Sequence, residues 1–161
     1  MTVALAGRPN SGKTSILMHL TGTVQRPVNF AGTSVERMES SIDVGTARLR
    51  AVDLPGITSL SPVSRDESVA IEFLKEAGAQ GPDVVCAVLD AVKLSIELHL
   101  LRQLNGLGRP IVVALNKQDV ARRQGRPVNA RALEAALGVP VIETDGHTGA
   151  GAERLREAVI A

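Results

Sequence analysis

Three short polar motifs in this chain of 161 residues carry residue types that bind phosphate, magnesium and a nucleobase. The first, GRPNSGKT at residues 7–14, has the spacing G-x-x-x-x-G-K-[ST]. In this spacing backbone N–H groups surround an anion, Lys13 reaches the β- and γ-phosphates, and the Thr14 hydroxyl can ligate Mg²⁺. The loop runs directly into ILMHL, a helix-like segment whose N-terminal partial positive charge also favours phosphate. The stretch therefore predicts a nucleotide phosphate site.

The second motif is DLPG at residues 53–56, which follows the strand-like run RLRAV. An Asp at the end of a strand beside a phosphate loop can hold a water molecule of Mg²⁺. The Gly56 N–H can meet a γ-phosphate because no side chain blocks the approach. Taken alone, DLPG would be better explained as an ordinary Pro-Gly turn.

The third motif is NKQD at residues 116–119, after the apolar run PIVVAL. The Asp119 carboxylate can accept two N–H donors from guanine, whereas adenine would present acceptors to it. Asn116 can meet the base edge, and the aliphatic stem of Lys117 can cover a flat ring. A solvated turn is the alternative for this motif by itself. Three such motifs in order, each after a separate strand-like run, indicate one site for a guanine nucleotide.

The composition is that of a single soluble globular domain. Apolar residues make up 44%, charged residues 22%, and the formal net charge is +1. This balance implies no strong field for nucleic acid or for a membrane surface. The longest apolar runs are of strand length, well short of the roughly 20 residues that cross a bilayer. The single Cys86 lies in VVCAVL, and we expect it to be a buried core thiol.

Strand-like and helix-like segments alternate along the chain, which predicts an α/β fold with a mostly parallel sheet covered on both faces. The predicted strands are 2–6, 35–42, 46–53, 82–90, 109–116 and 139–144, with a hairpin turn at 43–45. The predicted helices are 14–21, 66–77, 94–104, 130–137 and 150–160, and residues 22–35 are predicted to be a loop. Ligands in such sheets lie at the carboxyl ends of the strands, where all three motifs fall.

The motifs resemble those of TRAFAC-class GTPases, and the flanking residues resemble more closely the G domain of the bacterial ferrous iron transport protein B (FeoB) family. The resemblance is carried by QRPVNFAGTSVE at 25–36 and DLPGITSLSPVSRDE at 53–67. It continues through PDVVCAVLDAVKLSIELHLLRQL, GRPIVVALNKQD and LGVPVIET, and so covers essentially the whole chain. It implies a Ras-like P-loop fold, with a six-stranded sheet containing one antiparallel strand, as a single G domain over residues 1–161.

The resemblance also implies a function. By this resemblance the chain would be a slow, K⁺-stimulated GTPase switch that regulates a ferrous iron transporter. It would act in the cytoplasm or at the cytoplasmic face of the bacterial inner membrane. The implied ligands are GTP or GDP, Mg²⁺ and K⁺. The family's helical and membrane portions would be the partners, and we expect them to be absent from this chain. No nucleic acid partner is expected, and the oligomeric state is left open.

The site residues implied by the resemblance fall into a few groups. The nucleotide would be bound by Gly7, Arg8, Pro9, Asn10, Ser11, Gly12, Lys13, Thr14, Ser15, Thr33, Asp53, Gly56, Asn116, Lys117, Asp119, Thr144, Asp145 and Gly146. Asn10, Lys13, Ser34 and Gly56 would take part in catalysis. Mg²⁺ would be held by Thr14 and Ser34, with Asp53 in its outer shell, and K⁺ by Asn10. Residues 25–36 and 57–67 would be switch I and switch II.

Three departures from the family pattern bear on these roles. The switch I Mg²⁺ ligand is usually Thr, and here that position is Ser34 with Thr33 beside it. We favour Ser34, and Thr33 stays open. The usual Ser-Ala motif near the guanine reads Asp145-Gly146, which predicts either a looser base contact or a more mobile loop. The usual Asn-Met-x-Asp motif reads Asn-Lys-x-Asp, which is nearer the general GTPase form. Apart from these departures, position 57 is Ile where Ras-like enzymes have a water-orienting Gln, so hydrolysis should be slow.

Two alternative functions stay open. One is a potassium-dependent GTPase of ribosome or RNA maturation, which predicts a basic face or an attached RNA-binding module. The other is a GTP- or GDP-binding module without hydrolysis. His19, His99 and His147 are interpreted as surface or helix residues, and Asp66 and Glu67 as acids in the first turn of a helix.

Overall fold

The structure is a computed structural model that describes residues 1–161. The strands are β1 (Thr2–Ala6), β2 (Arg26–Asn29), β3 (Glu36–Val44), β4 (Ala47–Asp53), β5 (Val84–Asp90), β6 (Ile111–Asn116) and β7 (Val141–Glu143). The helices are α1 (Lys13–Thr21), α2 (Arg65–Lys75), α3 (Leu94–Asn105), α4 (Gln118–Arg123), α5 (Ala130–Leu137) and α6 (Ala152–Ile160). None of the six helices combines the length and apolar character needed to span a bilayer.

The seven strands form one sheet in the order β2-β3-β4-β1-β5-β6-β7. The pairs from β4 through β1, β5 and β6 to β7 are parallel. β3 pairs antiparallel with both of its neighbours, so it is the one strand that runs against the others. The predicted mostly parallel α/β architecture, with one antiparallel strand and helices on both faces, is therefore confirmed.

The sheet has one strand more than the six predicted, because β2 lies within the predicted loop 22–35. All four of its residues, RPVN, are exposed, and they pair only with β3 at the edge of the sheet. A strand without a buried face has no alternation of apolar and polar residues, so sequence periodicity does not reveal it. Pro27 is tolerated there because the strand is at an edge.

The predicted hairpin is formed by β3 and β4, in which Val44 pairs with Ala47 across Gly45 and Thr46. Helix α4 was not predicted, because it has only six residues and begins inside the NKQD motif. The remaining predicted helices and strands are present within a few residues of their expected bounds.

Two apolar clusters fill the space between the sheet and the helices on each face. Along β5 the side chains alternate between them: Val85, Ala87 and Leu89 belong to one cluster, and Val84, Cys86 and Val88 to the other. Helices α2 and α3 cover the first face, and α1 and α6 the second. The alternation shows that β5 is central and buried on both sides, and it places Cys86 in the core as predicted. The loops at the carboxyl ends of β1, β4, β5 and β6 carry the candidate site.

Candidate nucleotide-binding site

The phosphate loop connects β1 to α1. Asn10 (φ 64°) and Gly12 (φ 101°) both have left-handed backbone conformations. A Cβ on Gly12 would overlap the Asn116 amide nitrogen, so the loop needs glycine here for its backbone and for its close approach to β6. Helix α1 begins at Lys13, and the N–H groups of its first turn have no partners within the helix. The sequence GRPNSGKT thus folds into a loop suited to an anion.

Lys13 is buried and lies at the centre of this loop, where its Nζ donates to the Arg8 carbonyl at 3.2 Å. Burial lowers its pKa, and the nearby charges of Asp53 and Glu97 oppose that shift. The ammonium is therefore held in a low-dielectric position with acidic neighbours, and phosphate oxygens would offer it stronger partners than one carbonyl.

Thr14 and Asp53 meet across the loop, where the Thr14 hydroxyl donates to Asp53 Oδ2 at 2.6 Å. The second carboxylate oxygen, Oδ1, is buried and has no hydrogen-bond partner. Burial raises the pKa of Asp53, while the Thr14 hydrogen bond and the Lys13 charge act in the opposite direction. A hydroxyl and a carboxylate with one unsatisfied oxygen form a hard-oxygen donor set that fits Mg²⁺.

The start of switch II lies directly against the phosphate loop. The Ile57 N–H donates to the Gly7 carbonyl at 3.1 Å, and a Cβ on Gly56 would lie 2.8 Å from the Pro9 nitrogen. The Ile57 side chain is fully buried in the core. Arg8 reaches further along switch II, with Nη1 at 3.5 Å from the Thr58 carbonyl. Gly56 and Ile57 are therefore packed closely against the phosphate loop.

Asn116, at the end of β6, joins three parts of the site. Its Nδ2 donates to the Ser11 carbonyl at 2.9 Å, and its Oδ1 accepts from the Gly146 N–H at 3.1 Å. Lys117 follows with a left-handed backbone (φ 63°) and donates from Nζ to the Asn10 carbonyl at 2.5 Å. The NKQD motif is thus attached to the phosphate loop by two side chains.

The other predicted base-reading residues lie around Asn116. Asp119 is half-buried, and its Oδ2 pairs with Arg123 at 2.9 Å. The Thr144 hydroxyl is buried without a hydrogen-bond partner. Asp145 Oδ1 accepts the N–H groups of His147 and Thr148, and the first of these bonds is the main cause of its lowered pKa. Gly146 also lies against α1, since a Cβ on it would be 3.1 Å from the Ser15 Cβ.

The two hydroxyls of switch I differ in their contacts. Thr33 donates to the Phe30 carbonyl at 3.1 Å and accepts the Val35 N–H at 3.1 Å, so its hydroxyl completes a local turn. Ser34 is exposed, and its hydroxyl makes no hydrogen bond. Of the two, Ser34 therefore has the uncommitted oxygen.

Sequence reasoning missed two residues that take part in this arrangement, Asp90 and His19. Asp90 pairs with Lys117 at 2.8 Å, and its position at the end of an apolar strand, like that of Asp53, was an available signal. Glu67 lies in the first turn of α2 as predicted, and its Oε2 also accepts the Val63 N–H at 2.8 Å. His19 contacts the Gly146 carbonyl at 3.1 Å, a contact between distant segments that no local pattern indicates.

A sheet of this order, with a phosphate loop after β1, an Asp-x-x-Gly motif after β4 and an Asn-Lys-x-Asp motif after β6, defines a Ras-like P-loop domain. The sequence profile described as "Ferrous iron transport protein B" matches residues 1–159. The chain belongs to this family, as the sequence motifs indicated.

Curated relatives are much longer than this chain. The Fe(2+) transporter FeoB of Escherichia coli (strain K12) is 40% identical over 163 residues, which cover 99% of this chain and 21% of that protein. A fusion of Fe(2+) transport protein A with Fe(2+) transporter FeoB from Porphyromonas gingivalis is 39% identical over 158 residues, which cover 98% of this chain and 18% of the fusion. The chain therefore spans about a fifth of the length of these relatives.

Solved structures of the same family superpose on the whole chain. The G domain of the T. maritima FeoB iron transporter matches with a TM-score of 0.88 and 34% identity, covering 99% of this chain and 96% of that one. An S. thermophilus NFeoB mutant bound to GDP matches with a TM-score of 0.89 and 38% identity, covering 99% of this chain and 61% of that one. These matches confirm the predicted fold class.

Proposed function

We propose that this chain is the G domain of a ferrous iron transporter, and that it binds GTP and GDP with Mg²⁺ and hydrolyses GTP slowly. The observation that carries the proposal is the attachment of the NKQD motif to the phosphate loop, through Asn116 to Ser11 and through Lys117 to Asn10. A base reader and a phosphate loop in contact form one site for a whole nucleotide. The GDP bound to the S. thermophilus relative supports the choice of guanine.

At the phosphate end, each residue has a separate task. Lys13 and the first N–H groups of α1 would bind the β- and γ-phosphates. Thr14 and Asp53 would hold Mg²⁺, Asp53 from the outer shell, and Ser34 has the uncommitted hydroxyl for a second ligand. When bound, Mg²⁺ neutralises charge on the phosphates. The Gly56 N–H would respond to the γ-phosphate, because its close contact with Pro9 couples switch II to the loop.

Hydrolysis should be slow because Ile57 is fully buried and cannot orient a water molecule. Asn10 would supply part of the remaining catalytic effect by holding K⁺. Its side chain is exposed at the mouth of the loop and makes no hydrogen bond, so its amide oxygen is available to a cation. When bound there, K⁺ would stabilise charge that develops on the phosphates.

The burial of Ile57 also favours a second candidate, a module that binds GTP and GDP without hydrolysing them. The family membership favours either form of the iron-transporter domain over a GTPase of ribosome or RNA maturation. The partners proposed for residues 1–161 are the helical and membrane portions of a parent transporter. We place the domain at the cytoplasmic face of the inner membrane. The L. pneumophila relative is named a cytosolic domain of FeoB, which supports the cytoplasmic side.

The decisive experiment measures GDP binding by calorimetry and GTP turnover in K⁺ and in Na⁺. Asn10 has a left-handed backbone, so Asn10→Ala would add strain to the loss of the amide, whereas Asn10→Gly removes the amide alone. We expect turnover that is faster in K⁺ than in Na⁺, and loss of this difference in Asn10→Gly with GDP affinity retained. Arg122→Ala, at the exposed pair with Glu143, is the control and should retain the K⁺ effect.

Each outcome selects among the proposals. Binding of GDP without turnover in either salt would favour the non-hydrolysing module. Equal turnover in both salts would remove the role of K⁺ and leave a GTPase. Failure of the wild-type chain to bind GDP would contradict both.

A further inference from the structure

His19 lies on α1, with its side chain directed at the segment that follows β7. Its Nε2 is 3.1 Å from the Gly146 carbonyl oxygen. A carbonyl only accepts, so Nε2 carries the proton in this contact. The ring also packs against Gly149, where a Cβ would lie 2.7 Å from Nδ1. From the other side, Arg156 of α6 donates to the carbonyls of Leu20 at 2.8 Å and His19 at 3.4 Å. The histidine is thus part of a packed contact, and its ring is half-buried.

The segment 145–150 is otherwise attached mainly to itself. Its internal bonds run from the Gly149 N–H to the Asp145 carbonyl at 2.8 Å and from the Asp145 N–H to the Ala150 carbonyl at 3.0 Å. Apart from α6, which continues the segment, only two hydrogen bonds join it to the rest of the molecule, and both involve Gly146. Asn116 accepts the Gly146 N–H, and His19 donates to the Gly146 carbonyl.

Gly146 therefore sits between a residue of the base-reading motif and a residue of the phosphate-loop helix. Glycine has a wide choice of backbone conformations, so a loop with Gly at this position needs fixing from outside to hold one of them. A hydrogen bond on each of its peptide groups provides that restraint. The side chain of Asn116 cannot be aligned independently of this loop, because its Oδ1 is committed to the Gly146 N–H.

We propose that His19 is a positioning residue for base recognition, which fixes the Asp145-Gly146 segment against Asn116 by donating to the Gly146 carbonyl. This inference rests on the proposed function, since it assigns His19 to the base end of that nucleotide site. Loss of the bond frees the loop and shortens the lifetime of bound GDP. The phosphate end, with Lys13, Thr14 and Asp53, is unaffected, so the chemical step should keep its rate.

The test compares three substitutions of His19 with one control substitution at a second histidine, His147. His19→Leu removes the donor and keeps an apolar side chain of similar size. His19→Gln keeps a donor near the position of Nε2, and His19→Asn keeps the amide on a shorter chain that does not reach. His147→Ala is the control, because His147 lies in the same segment, is exposed, and its ring makes no hydrogen bond.

The measurements are the release rate of a fluorescent GDP analogue, kcat and KM for GTP, and the thermal unfolding temperature. Loss of one neutral hydrogen bond predicts release about fivefold faster in His19→Leu and His19→Asn, with KM raised and kcat unchanged. His19→Gln and His147→Ala should stay within about twofold of the wild type. Rescue by Gln and the split between KM and kcat distinguish positioning from a general loosening of α1, which would lower kcat as well.

Wild-type release rates in His19→Leu and His19→Asn would overturn the inference and leave the proposed function intact. Fast release in His19→Gln, at an unchanged unfolding temperature, would also overturn it. Should His19→Leu not fold, the comparison of Gln with Asn decides alone. A wild-type chain that binds no GDP would overturn the proposed function, and the inference with it.

Discussion

The Lys117 ammonium lies 2.8 Å from the Asp90 carboxylate and 2.5 Å from the Asn10 backbone carbonyl. Asp90 ends β5 and is buried, and Lys117 follows β6. One side chain therefore joins the ends of two parallel strands to the phosphate loop. Because its ammonium is anchored, the aliphatic stem of Lys117 is held in one orientation, which would reduce the entropy cost of binding the proposed nucleotide.

The substitution Asp90→Asn tests this relationship. It keeps the shape of the side chain but removes the charge, so the contact with Lys117 is reduced from an ion pair to at most a neutral hydrogen bond. With an allowance for the partial exposure of Lys117, we expect GDP affinity to fall about fivefold. Isothermal calorimetry measures the effect. Glu143→Gln, which removes the exposed pair with Arg122, is the control and should bind as the wild type does. Unchanged affinity in Asp90→Asn would mean that the ion pair does not orient Lys117.

The contact between switch II and the phosphate loop makes Gly56 intolerant of a side chain. In Gly56→Ala the Cβ would lie 2.8 Å from the Pro9 nitrogen, so one of the two segments must move. We expect GTP turnover to fall at least about tenfold, because the Gly56 N–H leaves its place. Gly125→Ala is the control: Gly125 has φ 70° with nothing near it, so it should lose stability without losing turnover. A turnover assay beside thermal unfolding separates the two results.

The positions of the three motifs at one edge of the sheet could be predicted because each motif is local in sequence and follows a strand. Lys13 and Thr14 must follow a glycine-rich loop at fixed spacing, and Asp53 and Asn116 each end an apolar strand. The two-layer core was predictable for the same reason, since the continuous apolar run of β5 indicates a strand that is buried on both faces. Local rules therefore account for the sheet, its central strands and the direction in which the site faces.

The features that were not predicted depend on contacts between distant segments. The edge strand β2 exists because β3 offers it hydrogen bonds, and its own residues have no buried face. His19 and Gly146 are brought together by the packing of α1 beside the end of β7. Whether Thr33 or Ser34 has a free hydroxyl is decided by the turn at Phe30, one residue of register that a sequence pattern does not resolve.

Asp53 should contribute to the effect of Mg²⁺ on nucleotide affinity and should not stabilise the ligand-free protein. Burial raises its pKa, so its ionised form carries a desolvation cost that a neutral Asn would not have. We expect Asp53→Asn to unfold at the same temperature as the wild type or higher without nucleotide. The factor by which Mg²⁺ increases GDP affinity should be at least about tenfold smaller in Asp53→Asn than in the wild type. Titrations of GDP with Mg²⁺ and with a chelator measure this gain. A lowered unfolding temperature with unchanged Mg²⁺ dependence would contradict the assignment.

Cys86 should be unreactive in the native protein. Complete burial raises its pKa from 9.0 to about 12, because the thiolate is disfavoured in the core. The thiol thus ionises more easily in the unfolded chain. Its contribution to stability is complete below pH 9.0 and is lost as pH rises towards about 12. At pH 8 a disulfide reagent should label Cys86 readily only in denaturant. In the native protein, labelling should be as slow as the opening of the core around Cys86. Val88→Ala, in the same cluster, should label roughly tenfold faster, since such a cavity costs about 1–2 kcal/mol. Rapid labelling of the native protein would show that Cys86 of β5 is not buried.

Phe30 of switch I and Phe73 of α2 are the only aromatic residues, and they pack edge to face with ring centroids 5.7 Å apart. The Arg37 guanidinium lies 4.6 Å from the Phe30 centroid and 5.1 Å from the Phe73 centroid. A double-mutant cycle with Phe30→Leu and Phe73→Leu should give a coupling of about 0.5–1.5 kcal/mol in the free energy of unfolding. Phe30→Leu with Ile160→Ala, at an exposed and distant position, should be additive. Because this contact attaches switch I to α2, either single substitution should also speed proteolysis within residues 25–36. Additivity of the two Phe substitutions would mean that switch I is held by its β2–β3 hydrogen bonds alone.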